Sequence, residues 1–524
     1  MVANQRDNEP GLSVAISIDG ELAYHGWAGQ ANLEHHVPID ADTRFAIASI
    51  SKQFTAFAIM ALVEEGTLSL DQPVHEIIPE LEVRPVPVTI RHLLNHTSGL
   101  REANSLLLLS GQSDLSPVKQ AQSLDLIYRQ RGGNFSAGVR QEYSNTGYQL
   151  LAEIIERLTG QPYPQFLQDR IFEPLGMSQT FVRTEPGQVI ENLAAGYRPQ
   201  RGGFTSHPVL SATYGSTGIV STPRDLLVWG DALNSGTIGG AEVIKAMETR
   251  SSLASGRRLI ATNGQEYRRF RGVDTWSHGG STGGFRSFLL RVPAERISIA
   301  VMGNRSDFLK AAFAFKVASV VLSDRLETEQ VAAFVPERGA ALDRYVGDYR
   351  LFAGVVFSLR RQGDELTFAS FGGEQATPLR QIARGVFELD PSAELRLEFC
   401  DLAEGRATEM RWQISDDGFI PAPRVTMQPI PQTPLDTSEL TGAYFSETLQ
   451  QVVSVYDLQG EIWLRTGDAR SVALERYQPD IFRPRSASRV QKLEFVRNEN
   501  GHVTHALLST SLADNIEYRR IDAE

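Results

Sequence analysis

The last third of the chain repeats itself at a fixed offset, and that repeat limits the architecture more than any other feature. Leu366-Thr367-Phe368 follows a Gly363-Asp364-Glu365 turn, and Ile462-Trp463-Leu464 follows Gly460-Glu461, 96 residues later (462 against 366). Leu397-Glu398-Phe399 and Leu493-Glu494-Phe495 stand at the same offset, as do Thr408 and Thr504, and Gly347-Asp348-Tyr349 parallels Gly442-Ala443-Tyr444. Each copy is a series of short alternating runs broken by turn residues, with few helical patterns. That is how a small antiparallel β unit reads. Two related β-barrel domains, 335–428 and 435–524, are expected, joined by the proline-rich Pro429-Ile430-Pro431-Gln432-Thr433-Pro434. Residues 1–330 remain as one domain of a different character.

The full chain has 524 residues, about three domains at roughly 150 residues each. Its 41% hydrophobic and 22% charged content is that of a globular protein. The net charge of −12 argues against non-specific binding to nucleic acid or to anionic membranes. The one cysteine, Cys400, excludes an internal disulfide and a cysteine-based metal site, and it reads as a buried strand residue in Leu395–Cys400. Met1 to Pro10 is polar and lacks the apolar core of a secretory signal, so a cytoplasmic enzyme is expected, with a trimmed leader equally compatible. No apolar run approaches the roughly 20 residues of a membrane-spanning helix.

Within 1–330, Leu12 to Ile18 alternates, Asp19-Gly20 marks a hairpin turn, and Glu21 to Gly26 resumes the pattern. Leu150, Leu151, Ile154, Ile155 and Leu158 give a helix that stops at Gly160, with Tyr143 and Asn145 in the turn at its head. Thr213 to Thr222 is a Gly/Ser/Thr-rich turn ahead of a helix over Pro223 to Leu233. Ser287–Val292 and Ile297–Met302 read as adjacent antiparallel strands, and Leu309 to Leu322 as a returning apolar helix. The fold class is α+β, an antiparallel sheet flanked by helices.

The chemistry is concentrated around Phe45-Ala46-Ile47-Ala48-Ser49-Ile50-Ser51-Lys52. Residues three apart on a helix share a face, so the Ser49 hydroxyl and the Lys52 amine enter one pocket. A serine needs a neighbouring base to become a nucleophile. A helix N-terminus under Ser49 favours developing negative charge. Alone, Ser-x-x-Lys is a common pattern and an exposed helix start explains it as well. Two further segments follow in order, Tyr143-Ser144-Asn145 and His278-Gly279-Gly280. His92 and His96 are spaced i, i+4, but no glutamate stands beside His92 as in a zinc protease, and both are taken as structural hydrogen-bonding residues. Gly279-Gly280-Ser281-Thr282-Gly283 also fits a nucleophile elbow. An elbow requires strand, turn and helix, whereas apolar strands follow here, so the match is fortuitous.

Taken together, Ser49-Ile50-Ser51-Lys52, Tyr143-Ser144-Asn145 and His278-Gly279-Gly280 resemble the Ser-x-x-Lys, Tyr-x-Asn and Lys/His-x-Gly motifs of the penicillin-recognising serine hydrolases. That group holds class C β-lactamases, D,D-peptidases, family VIII esterases and D-aminopeptidases. Leu93–Leu100 and Ile219–Asp225 look like its supporting segments, and the resemblance covers about residues 11–325. It implies a β-lactamase-like domain with Ser49 as nucleophile and Tyr143 coupled to Lys52 as the base. Asn145 would position Lys52 and substrate. Backbone N–H groups of Ser49 and Ser281, beside Gly280, would form the oxyanion hole. His278 in place of the commoner lysine leaves less fixed positive charge for a substrate carboxylate, which weakens a β-lactamase or carboxypeptidase assignment. Two trailing β-barrels resemble the bacterial D-aminopeptidases, implying release of N-terminal D-amino acids. An esterase or D,D-peptidase is the alternative within the family, and a non-catalytic sensor on the same scaffold the alternative outside it. The expected substrate is a small peptide, amide or ester, with no cofactor, no metal, no nucleic acid and no membrane, and a homodimer left open. One further candidate is the segment Tyr477–Ser486 of the last barrel. It is read as a loop whose Asp480 would meet a substrate ammonium, beside the plainer reading of a surface hairpin with solvated charges.

Overall fold

The computed structural model describes residues 8–521 except 328–333, 353–354, 371–375, 391–394, 404, 414–418, 429–434, 468–470 and 487. The linker 429–434 and the side chain of Cys400 therefore lie outside the described residues, although the backbone of Cys400 sits in a strand opposite Glu409. The chain divides into two units. One comprises Met1–Gly99, Ser113–Tyr128 and Phe135–Glu329, the other Leu100–Gln112, Arg129–Asn134 and Gln330–Glu524. Among the described residues no helix is long and apolar enough to cross a membrane.

The first unit is built on a six-stranded antiparallel sheet. Its strands are β1 (Leu12–Ile18), β2 (Glu21–Ala28), β3 (Glu266–Phe270), β4 (Val273–Thr282), β5 (Phe285–Val292) and β6 (Ile297–Gly303), in the order β3-β4-β5-β6-β1-β2. The β1–β2 hairpin turns on Asp19 and Gly20, both left-handed (φ 55° and 81°), the turn that an Asp-Gly pair favours. β1 is buried over Leu12–Ser17 because both faces of the sheet are covered. Four helices matter for the site: α1 (Ser51–Glu64), α2 (Asn145–Thr159), α3 (Pro223–Ser235) and α4 (Lys310–Val321). Val14, Ile16, Phe288, Leu290, Ile299 and Val301 pack with Ala314, Phe315 and Ala318 of α4 in one core layer. The opposite face is mixed, with Ser13, Ala15, Ser17, Ser298 and Ala300 alongside Leu289 and Met302. Ser17 and Ser298 both donate to the Asp231 carboxylate of α3, at 2.7 and 2.6 Å. Behind α3, Trp229 stacks on Phe54 of α1 with ring centres 4.4 Å apart.

The second unit contains the two repeated sheets. Residues from Gly347 to Val425 form a nine-stranded, nearly closed antiparallel sheet, and Gly442 to Ile521 form a closed eight-stranded barrel. The 96-residue repeat is structural. Tyr349 Oη donates to Tyr345 O at 2.9 Å, and Tyr444 Oη donates to Leu440 O at 2.7 Å. Arg424 reaches Val346 O, and Arg520, 96 positions on, reaches Thr441 O. In both barrels the same tyrosine and the same arginine close the entry into the first strand.

Candidate active site

Ser49 sits at the end of a short, pinned approach. Phe45–Ala46 pairs with Ile219–Ser221, then the 3-10 turn Ala48–Ile50 runs directly into α1. The Ile47 N–H donates to Ile219 O at 3.0 Å, and Ile47 O accepts from Ser287 Oγ at 2.7 Å. Ala48 has φ 50°, an uncommon conformation for a residue with a Cβ, and the surrounding bonds hold it there. Ser49 is left half-buried on a turn that cannot easily shift.

Lys52 follows one turn later with no exposed surface. Its ammonium donates to Ser49 Oγ at 3.3 Å, to Asn145 Oδ1 at 2.7 Å and to Ser216 O at 2.8 Å. A buried charge is tolerated only when hydrogen-bonded in this way. Its Nζ also lies 4.8 Å from the centre of the Tyr143 ring and 5.5 Å from that of Tyr148. Tyr143 is set by its two neighbours. The Glu142 N–H donates to His96 O at 2.8 Å, and the Ser144 N–H donates to His96 Nδ1 at 3.2 Å. The His96 ring itself lies 4.5 Å from the Tyr143 ring. His92 accepts from the Thr89 N–H at 3.1 Å and caps the helix Ile90–Leu94. Both histidines are hydrogen-bonding residues, but His96 does its work against Tyr143.

β4 supplies the third side. His278 is 5% exposed, with its ring centre 6.4 Å from that of Tyr143. Its Nδ1 donates to Gly279 O at 2.7 Å, which fixes the neutral tautomer with a proton on Nδ1. Burial, reinforced by the Lys52 charge, lowers its pKa to about 3. The same two causes hold His96 well below the ordinary histidine value. The cation at the centre of the site is therefore Lys52, flanked by two neutral imidazoles. Gly280 lies against the Ser49 turn so closely that a Cβ would come within 2.1 Å of Ile47 O. Ser281 is exposed near the end of the strand, and Gly283-Gly284 then turn the chain into β5. The segment is strand–turn–strand, so Ser281 is not on a nucleophile elbow.

All seven sequence-predicted residues thus fall in the first unit. Bonds or ring contacts join Ser49, Lys52, Tyr143, Asn145 and His278, and Gly280 packs on the turn that bears Ser49. The Tyr477–Ser486 segment follows the plainer of its two readings, a hairpin, rather than a loop. It is part of a hairpin, Val472–Gln478 and Ile481–Pro484, with Phe482 buried in the barrel. The Asp480 carboxylate is taken by Arg497 at 3.1 Å, so it does not stand as a free anion. The sequence did not single out Ser216 and Ser287. The Thr213–Thr222 turn flagged the first only as a region, and no local pattern marks the second.

A family model described as Beta-lactamase matches residues 2–318. The chain belongs to the Beta-lactamase family. The family and its named relatives mark the chain as a serine hydrolase. The D-aminopeptidase of Gluconobacter oxydans is 24% identical over 548 residues, spanning 98% of this chain and 96% of the relative. Among solved structures, the D-amino acid amidase from Ochrobactrum anthropi SV3, complexed with D-phenylalanine, is 28% identical at a TM-score of 0.52. It covers 60% of this chain and 93% of its own. The octameric penicillin-binding protein homologue from Pyrococcus abyssi shares the fold at 24% identity and a TM-score of 0.55, covering 89% of this chain and 96% of its own.

Proposed function

We propose that the chain is a D-aminopeptidase-like peptidase and amidase that releases N-terminal D-amino acids through an acyl-enzyme on Ser49. The observation that carries this is the buried Lys52 ammonium at 3.3 Å from Ser49 Oγ, beside a His278 held neutral. Tyr143, coupled to Lys52, takes the Ser49 proton as Oγ attacks the amide carbonyl. The Ser49 and Ser281 N–H groups receive the oxyanion, a stabilisation of about 3–4 kcal/mol per donor in comparable sites. The proton returns to the leaving amine, and water then hydrolyses the ester with the same base unit. Neutral His278 removes the fixed cation that would draw a substrate carboxylate, which favours substrates recognised by their amino end over carboxylate-anchored ones. The full-length similarity to a protein named D-aminopeptidase, through both barrels, supports the same substrate class.

The test is a panel of D-alanine p-nitroanilide, p-nitrophenyl butyrate, nitrocefin and a D-Ala-D-Ala peptide. The anilide is expected to be the best amide substrate. A fluorophosphonate probe should label the Ser49 peptide, and Ser49→Ala should abolish labelling and turnover together. Preference for nitrocefin or the D-Ala-D-Ala peptide would overturn the substrate assignment, and labelling of Ser281 would overturn the nucleophile.

A further inference from the structure

His278 and Gly280 face the Ser49 turn, while Gly279 and Ser281 face α4. On that second face Lys310, the first residue of α4, lays its side chain along β4. A Cβ on Gly279 would come within 2.9 Å of Lys310 Cε, so the end of the lysine crosses the strand directly over the bare glycine and a larger residue there would have to move it aside. Beyond it, Lys310 Nζ donates to Ser281 Oγ at 2.8 Å. This fastening lies where the sheet gives least support. β3 pairs with β4 only as far as Ser277, so among the described strands β5 alone pairs with His278 to Thr282. The strand ends at Thr282 and Gly283 turns the chain with φ 49°. The charged groups acting on Lys310 are Arg286 of β5 and Glu266 of β3. Burial, with Arg286 in the same direction and Glu266 opposing, lowers its pKa to about 8.

We propose that Lys310 is a positioning residue for the acylation step: by gripping the Ser281 hydroxyl it holds the Ser281 N–H where the oxyanion forms. The inference rests on the proposed function above, with Ser49 as nucleophile and Ser281 as donor. An oxyanion donor acts only if it is already in place when charge develops. A strand end with one neighbour and a glycine turn after it needs a tether to meet that condition.

The experiment compares Lys310→Met, Lys310→Arg, Ser281→Ala and Gly279→Ala with the parent on D-alanine p-nitroanilide. Direct loss of an oxyanion donor costs about 100- to 1000-fold in kcat, so loss of its tether should cost less, about tenfold. Lys310→Met and Ser281→Ala are each expected to lower kcat by about that factor with KM within about twofold. Lys310→Arg should restore most of it. Gly279→Ala, which keeps every charge but crowds the end of the lysine, should lower kcat in the same direction, and a folded Ser281→Ala with parental kcat overturns the proposal if Lys310→Met fails to fold. Because the two residues act as one unit, the Lys310→Met/Ser281→Ala double variant should be no worse than either single one. A folded Lys310→Met with parental kcat, or losses that multiply in the double variant, would overturn the proposal. Ser49→Ala, run alongside, separates the two levels: residual turnover there would undo the nucleophile assignment itself.

Discussion

Lys52 is a cation with no exposed surface, and its charge shapes the residues around it. Together with burial it holds His278 and His96 in their neutral forms. Each imidazole has a hydrogen bond that suits this state. His278 Nδ1–H donates a hydrogen bond to Gly279 O, and His96 Nδ1 accepts one from Ser144 N–H. This neutrality has a pH consequence. In the unfolded chain both histidines bind a proton near pH 6.5, whereas in the fold His278 does not until about pH 3. The share of stability that His278 contributes is therefore fully present above pH 6.5 and falls as the pH drops from there towards 3, by about 1.4 kcal/mol per pH unit, and His96 acts in the same direction. Urea unfolding at pH 7, 6 and 5 should show that decline, and His278→Asn should reduce its slope by about one imidazole's share. An unchanged slope in the variant would mean that His278 titrates normally in the fold.

At the scale of elements, the site is a clasp between the Ser49 turn and β4. Gly280 stands 2.1 Å from Ile47 O if given a Cβ, and the neighbouring Ser287 hydroxyl already bonds that same carbonyl. Alanine at 280 must push the turn away from the strand. Overpacking of this kind costs about 1–3 kcal/mol, while displacement of a reacting atom by about 1 Å can cost 100-fold in rate. Gly280→Ala is expected to remain folded by circular dichroism and to lose about 100-fold in kcat; near-parental turnover would show that the turn yields without moving Ser49. Much of this clasp was legible beforehand. The hairpin at Asp19-Gly20, the helix head at Asn145 and its stop at Gly160 (φ 68°) follow from local turn and capping chemistry. Ser49, Lys52, Tyr143 and His278 were visible as three ordered motifs. The helix start differed slightly: Ser49 lies in a 3-10 turn and α1 begins at Ser51, because the Ile47 bonds to Ile219 and Ser287 hold the approach out of helical register. Ser216, Ser287 and Lys310 were not legible. They reach the site from positions 164, 240 and 29 residues away from their partners, and nothing local marks them.

At the scale of the whole molecule, the sequence repeat correctly announced the two β sheets, since alternating runs and turn residues are local signals. It carried no sign of what else joins them. Leu100–Gln112 and Arg129–Asn134, which lie in the sequence between His96 and Tyr143, fold with the C-terminal barrel. Arg101 is central to that association and is 8% exposed. Its guanidinium donates to Asp514 O and Asn515 O, each at 3.0 Å, to Arg131 O at 2.7 Å and to Gln130 Oε1 at 3.2 Å. Asn134 reinforces it, accepting from the Asp514 N–H at 2.9 Å and donating to Leu512 O at 3.0 Å. One planar fork thus satisfies carbonyls from two stretches of chain nearly 400 residues apart. Removing it strands those acceptors, at about 1–3 kcal/mol for each buried group left unpaired. Arg101→Ala is accordingly expected to destabilise the protein by about 3 kcal/mol in urea unfolding. Arg101→Lys should recover little, because a single ammonium cannot bridge the same set of carbonyls. A loss below about 0.5 kcal/mol, the range of ordinary surface substitutions, would show that the segments 100–112 and 129–134 hold to the barrel without this arginine.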